Sequence, residues 1–102
     1  MPHNVPAALR SYAITAMIDY CVAHGYSPYA VVFVTPDCEV PAAYVQDQHI
    51  VLDIEPEAVN RFQIDEKEMT FQARFGENNE IFDLRVPMDN IVAVFPDANP
   101  EC

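Results

Sequence analysis

Histidine, serine, cysteine and carboxylate side chains could carry acid–base or covalent chemistry, and in this sequence they do not assemble. His3 lies near the N-terminus, His24 falls at a helix end and His49 begins a strand. The only serines are Ser11 and Ser27, and neither sits in a Gly-x-Ser-x-Gly elbow. Cys38 stands in a loop, but Asp37 and Glu39 flank it and would make its thiolate scarce. Cys21 falls in an apolar helical pattern and reads as a buried small hydrophobe. Cys102 ends the chain, and three cysteines so widely spaced form neither a disulfide framework nor a metal-ligand pair. Asp37, Glu39, Asp47, Glu55 and Glu57 lack the spacing of an EF-hand. With only Gly25 and Gly76, a tight cation loop or a phosphate cradle is excluded. No nucleophile, base and orienting group converge, so neither an enzyme nor a metal or cofactor is predicted.

Binding is what remains, and charge narrows it. Of 102 residues, sixteen are acidic, against Arg10, Arg61, Lys67, Arg74 and Arg85, for a net charge of −11. Such a surface repels phosphate and anionic membrane, so nucleic acid is a disfavoured partner. No apolar run approaches the roughly 20 residues that cross a bilayer. The N-terminal stretch has neither a basic region nor an apolar core of a secretory signal, so a cytoplasmic location is expected. Hydrophobic residues make up 51 % of the chain, enough for the core of a single domain without staples.

The most informative stretch is Met69-Thr70-Phe71-Gln72-Ala73-Arg74-Phe75-Gly76. Its alternation predicts a β-strand, with Met69, Phe71, Ala73 and Phe75 on one face and Thr70, Gln72 and Arg74 on the other. Ala73 leaves a gap between two aromatic rings. Either it packs against something bulky in the core, or it is kept small so that another backbone can approach; periodicity leaves both open.

The elements around this strand follow from local signals. Pro6 to about Ala23 reads as a helix, with Asn4 as the N-cap and Gly25 just past the end. Leu9, Ala13, Ala16, Tyr20 and Ala23 form one apolar stripe, and Ile14, Met17, Ile18 and Cys21 a second. That is more apolar surface than one packing face requires. The helix is therefore covered by its own sheet or shared with another molecule, and small Ala13 and Ala16 would permit a close homodimer contact. Tyr29–Val34, His49–Ile54, Met69–Phe75, Glu80–Pro87 and Ile91–Phe95 read as strands. Asp47-Gln48 and Gly76–Asn79 read as turns, and Glu55–Val59 as a possible helical turn. Pro96 is expected to end the ordered domain (residues 1–96), with 97–102 starting an acidic tail. One helix followed by about five short strands predicts a mainly β domain, a partly open barrel or a two-sheet sandwich.

Leu9-Arg10-Ser11-Tyr12, Ser27–Val32, Val40–Tyr44, Ile50–Val59 and Phe71–Gly76 occur together in an order and spacing that resemble the SspB (stringent starvation protein B) family. The resemblance runs from about residue 9 to residue 95 and lies in the ordered set, not in any single piece. It implies a homodimer paired through the N-terminal helix and a small β-domain of SH3- or Sm-like character with a groove. That groove would bind the ssrA degradation tag of stalled translation products. An acidic tail with a docking motif would deliver the cargo to the ClpX unfoldase of the ClpXP protease. Carried over, the peptide-binding residues are Tyr44, Val45, Gln72, Ala73, Arg74 and Phe75, and the pairing surface is Leu9, Tyr12, Ala13, Ala16, Met17 and Tyr20. Arg74 would offset the acids of the tag, unless it pairs with Glu77 or Glu80. The tail that the resemblance implies is expected to lie beyond Cys102. An Sm-like nucleic-acid module is the alternative, and the few scattered cations argue against it.

Overall fold

A computed structural model of the chain describes residues 6–97. The helix α1 spans Ala7–His24, and its N-cap position falls at Pro6 instead of Asn4, which lies outside the described residues. Pro6 has no side chain to cap with, but its carbonyl accepts the N–H groups of Leu9 and Arg10. Gly25 closes the other end in the left-handed region (φ 75°), and the N–H of Tyr26 also returns to the Cys21 carbonyl.

Six strands follow: β1 (Ser27–Phe33), β2 (His49–Asp53), β3 (Asn60–Ile64), β4 (Glu68–Phe75), β5 (Glu80–Pro87) and β6 (Ile91–Asp97). They form two antiparallel three-stranded sheets, ordered β2-β1-β6 and β3-β4-β5, and no closed barrel. The sixth strand, β3, escapes the sequence pattern because Arg61 adopts φ 57° and the register slips between Asn60 and Gln63. Strand β6 runs one residue past Pro96. As β6 is an edge strand, a missing N–H is tolerated there, and pairing continues to Ser27–Asp97. Residues 98–102 lie outside the described residues. The Glu55–Val59 segment is a turn, closed by the Ala58 and Val59 N–H groups on the Glu55 carbonyl.

The core lies between the inner faces of the sheets. Ala30, Val32, Ile50, Leu52 and Ile91 meet Met69, Phe71, Leu84 and Val86 there. Burying each large aliphatic side chain contributes about 1.5–3 kcal/mol. The helix adds Ile14 and Ile18 to this core, with Ser11 and Cys21 buried along the same stripe. Cys21 is thus packed as a small hydrophobe, and burial raises its thiol pKa. The opposite stripe stays bare: Leu9, Tyr12 and Tyr20 are 54 %, 63 % and 48 % exposed. Arg10 anchors the helix to the Met88–Asn90 3₁₀ turn by donating to the Met88 carbonyl.

Candidate functional site

Two hairpin registers leave a gap between the sheets. Strand β3 starts opposite Gln72, so Ala73, Arg74 and Phe75 are paired only with Phe82, Ile81 and Glu80 of β5. On their other side, the last three residues of β4 meet no strand. Strand β2 is an edge of its own sheet and faces this gap with Val51. An unpaired length of backbone beside a second free edge can accept an extended peptide as an added strand.

The floor of the gap is a cleft of about 190 Å³ between Val51, Leu52, Ala58, Val59, Phe71, Ala73 and Phe75, with Asp53 and Arg74 at its margins. A wider depression of about 510 Å³ continues past Phe75 to Tyr44, Gln46, Asp47 and His49. Ala73 is half-buried, and its small side chain keeps the floor low between Phe71 and Phe75. Tyr44 forms the end wall. It ends a 3₁₀ turn over Ala42–Tyr44, and its ring centroid lies 5.1 Å from that of Phe75. Phe75 is held in turn by an edge contact with Phe82 at 5.6 Å.

Gly76 lets this wall stand where it does. Its φ is 76°, and a Cβ there would come within 2.5 Å of the Tyr44 hydroxyl oxygen. Only glycine satisfies both the turn and the ring.

The sequence-predicted peptide residues divide into two groups. Tyr44, Ala73 and Phe75 line the clefts, whereas Val45 packs against the core and lines neither. The Gln72 side chain is turned to the opposite face of the sheet, where its Nε2 donates to Asp83 Oδ1 at 3.0 Å. Arg74 borders the cleft, while its guanidinium donates to the Asn79 carbonyl at 3.4 Å. It makes no ion pair with Glu77 or Glu80; the ion pairs among the described residues both belong to Arg85, with Glu39 and Glu68. Those carboxylates raise the Arg85 pKa, Glu39 most.

Val51, Ala58 and Val59 are groove residues that the sequence reading did not single out. One signal was available. Val51 is apolar on the strand face opposite Ile50 and Leu52, where a solvated antiparallel sheet ordinarily places polar residues.

Of the pairing set, Leu9, Ala13, Ala16 and Tyr20 are exposed on one side of α1, and Met17 is half-buried. Tyr12 donates from its hydroxyl to Glu66 in the β3–β4 turn at 3.2 Å.

The groove and the bare helix stripe stand beside a match in sequence. A family description, SspB: Stringent starvation protein B, fits residues 8–101. The chain belongs to the stringent starvation protein B family. A relative, the Stringent starvation protein B homolog of Haemophilus influenzae (strain ATCC 51907 / DSM 11121 / KW20 / Rd), is 33 % identical over 92 residues. The alignment covers 88 % of this chain and 59 % of that relative, so the chain spans well under two thirds of the relative's length. Among the described residues no helix is long and apolar enough to cross a membrane, and no three His, Cys, Asp or Glu side chains are grouped to hold a metal ion.

Proposed function

We propose that this chain is a non-catalytic, cytoplasmic adaptor of the ClpXP protease. It captures the ssrA degradation tag as an extended peptide in the groove between β2 and β4. The observation that carries this reading is the uncovered backbone of Ala73–Phe75 beside the β2 edge at Val51, above a cleft of apolar side chains bordered by Asp53 and Arg74. Main-chain hydrogen bonds along β4 supply affinity, and the clefts on either side of Phe75 receive alternate side chains. Family membership supports the role, and the resemblance described above supplies the identity of the cargo.

Among the described residues, Arg74 is the one cation bordering the groove. Its link to Asn79 is long and exposed, so the guanidinium can turn toward an acidic tag at small cost. The bare stripe of α1 pairs two chains, with Ala13 and Ala16 allowing close approach. Delivery to ClpX rests on a docking segment outside the β-domain, whose tether raises the local concentration of cargo at the protease.

Fluorescence anisotropy of a labelled ssrA peptide tests this reading. Wild type should bind saturably. Ala73→Gln, which fills the groove floor, should weaken binding roughly tenfold or more while the protein stays folded. No binding by a folded wild type would overturn the cargo assignment. Undiminished binding by the variant would overturn the location.

A further inference from the structure

The outward face of the β2–β1–β6 sheet has the wrong chemistry for a surface that meets only water. Tyr29, Val31 and Phe33 of β1 alternate with the buried Pro28, Ala30 and Val32 and so point away from the core. Register places Val51 beside Val31, and Ala93 and Phe95 beside Val31 and Tyr29. Val51, Phe95 and Phe33 are 55 %, 39 % and 37 % exposed. Tyr29 and Phe95 stack with centroids 5.8 Å apart, and Phe33 packs edge-on against His49 at 5.4 Å. A contiguous apolar face of this kind marks an interaction surface.

The charges around it select the partner. No lysine or arginine lies on β1, β2 or β6; the basic residues sit on α1, β3, the β3–β4 turn, β4 and β5. Asp53 stands opposite Tyr29, and Asp97 opposite Ser27, at the same end of the sheet. Burial, and then the carboxylates of Asp53, Asp97 and Glu55, raise the Tyr29 phenol pKa, which marks the local field as negative. His49 is the titratable group at the far end, and its Nδ1 is engaged with the Asp47 carbonyl. A second copy of this face would bring the same carboxylates and no cation. An anionic lipid surface would be repelled by both the margin and the net charge of −11.

We propose that the outward face of the β2–β1–β6 sheet docks a basic amphipathic segment of a partner protein. Its apolar side chains lie on Val31, Phe33 and Phe95, and its lysine or arginine heads reach Asp53, Asp97 and the Tyr29 ring face. Aromatic faces bordered by carboxylates receive such cations by cation–π and ionic attraction together. The surface meets the groove along β2, at His49, Val51 and Asp53, and lies apart from it at Val31, Phe33 and Phe95.

The test titrates wild type with a fluorescein-labelled amphipathic peptide of leucine and lysine, and with the matching peptide of leucine and glutamate. Saturable binding of the lysine peptide alone, weakened by added salt, is expected. The double variant Phe33→Ser/Phe95→Ser should lose roughly tenfold or more in affinity. Asp53→Asn/Asp97→Asn should lose less and should flatten the salt dependence. Unlabelled ssrA peptide, which meets this face only along β2, should lower probe affinity less than Phe33→Ser/Phe95→Ser does. Thermal melts confirm that each variant is folded. The proposal is overturned by equal binding of the glutamate peptide, by indifference to both double variants, or by full displacement with ssrA peptide. It is also overturned if Phe33→Ser/Phe95→Ser dissociates a dimer in sedimentation, because the face would then belong to a second copy.

Discussion

The β3-β4-β5 sheet turns Gln72, Asp83 and Arg85 to solvent, and these groups satisfy one another: Gln72 donates to Asp83, and Arg85 pairs with Glu39 and Glu68. The β2-β1-β6 sheet turns out Tyr29, Val31, Phe33 and Phe95. Both have three antiparallel strands and share one core, so the difference does not come from the fold. It lies in how complete each surface is. The polar sheet even has its outer edge finished, because Glu39 exchanges backbone hydrogen bonds with Arg85 of β5 at 2.8 and 3.0 Å. Exposed edges are ordinarily protected in this way. The apolar sheet leaves a face open, and its β2 edge is closed only at His49, which exchanges backbone hydrogen bonds with Gln46 at 2.8 and 2.9 Å; the groove runs where the rest of that edge meets the uncovered end of β4. Open apolar surface and unpaired backbone, more than any reactive group, are what this protein presents to partners.

Breaking the contrast between inner and outer faces should produce the largest effect. Leu84→Ala removes a side chain wedged between the sheets and should cost about 2–5 kcal/mol in urea unfolding. Phe95→Ala, a larger truncation on the open face, should cost under about 1 kcal/mol. Equal costs would mean that the outer face is structural. Gly76→Ala comes next. It should cost about 1–2 kcal/mol for the left-handed backbone. It should also push Tyr44 off Phe75 and lower peptide affinity more than stability alone explains.

Gln48→Gly should act in the opposite direction. Asp47 and Gln48 both have positive φ (52° and 61°) in the tight turn leading into β2. An Asp-Gly pair suits such a turn, and the gain should be about 0.5–1 kcal/mol by thermal melt.

The smallest effect should depend on pH. The Asp65 carboxylate accepts the N–H groups of Glu68 and Lys67 at 2.9 and 2.8 Å, which lowers its pKa below the usual 3.8. A lowered folded pKa stabilises the fold above the unfolded value, and that contribution fades as pH falls through the folded value. Wild type should therefore exceed Asp65→Ala in urea midpoint at neutral pH, with the gap narrowing below pH 3.8.

Much of this was readable in the chain. The helix, its glycine stop and the alternation of β4 and β5 follow from spacing alone, and the observed ends differ by only a few residues. Strand β3 was hidden because Arg61 breaks its alternation with a positive φ. The groove was half legible. Period two already places Gln72 and Arg74 on the face opposite Ala73 and Phe75, so membership of one strand does not put all four side chains in one groove. Val51 and Val59 come from distant parts of the chain, and only the packing of the sheets brings them to Ala73. The bare stripe of α1 could not be separated from the buried one by sequence, because both are apolar. Ile14, Ile18 and Cys21 meet the domain, whereas Leu9, Ala13 and Ala16 do not.

The position of the tag on the protein is the decisive point. Backbone amide NMR of the labelled protein titrated with ssrA peptide reads this position directly. The amides of Val51, Ala73, Arg74 and Phe75 should shift, and those among them that point away from their strand partners should become protected from exchange, while those of Gln63, Asp83 and Arg85 stay in place. Shifts confined to the polar face, or none at Ala73–Phe75 in a protein that binds the peptide, would contradict the groove between the sheets.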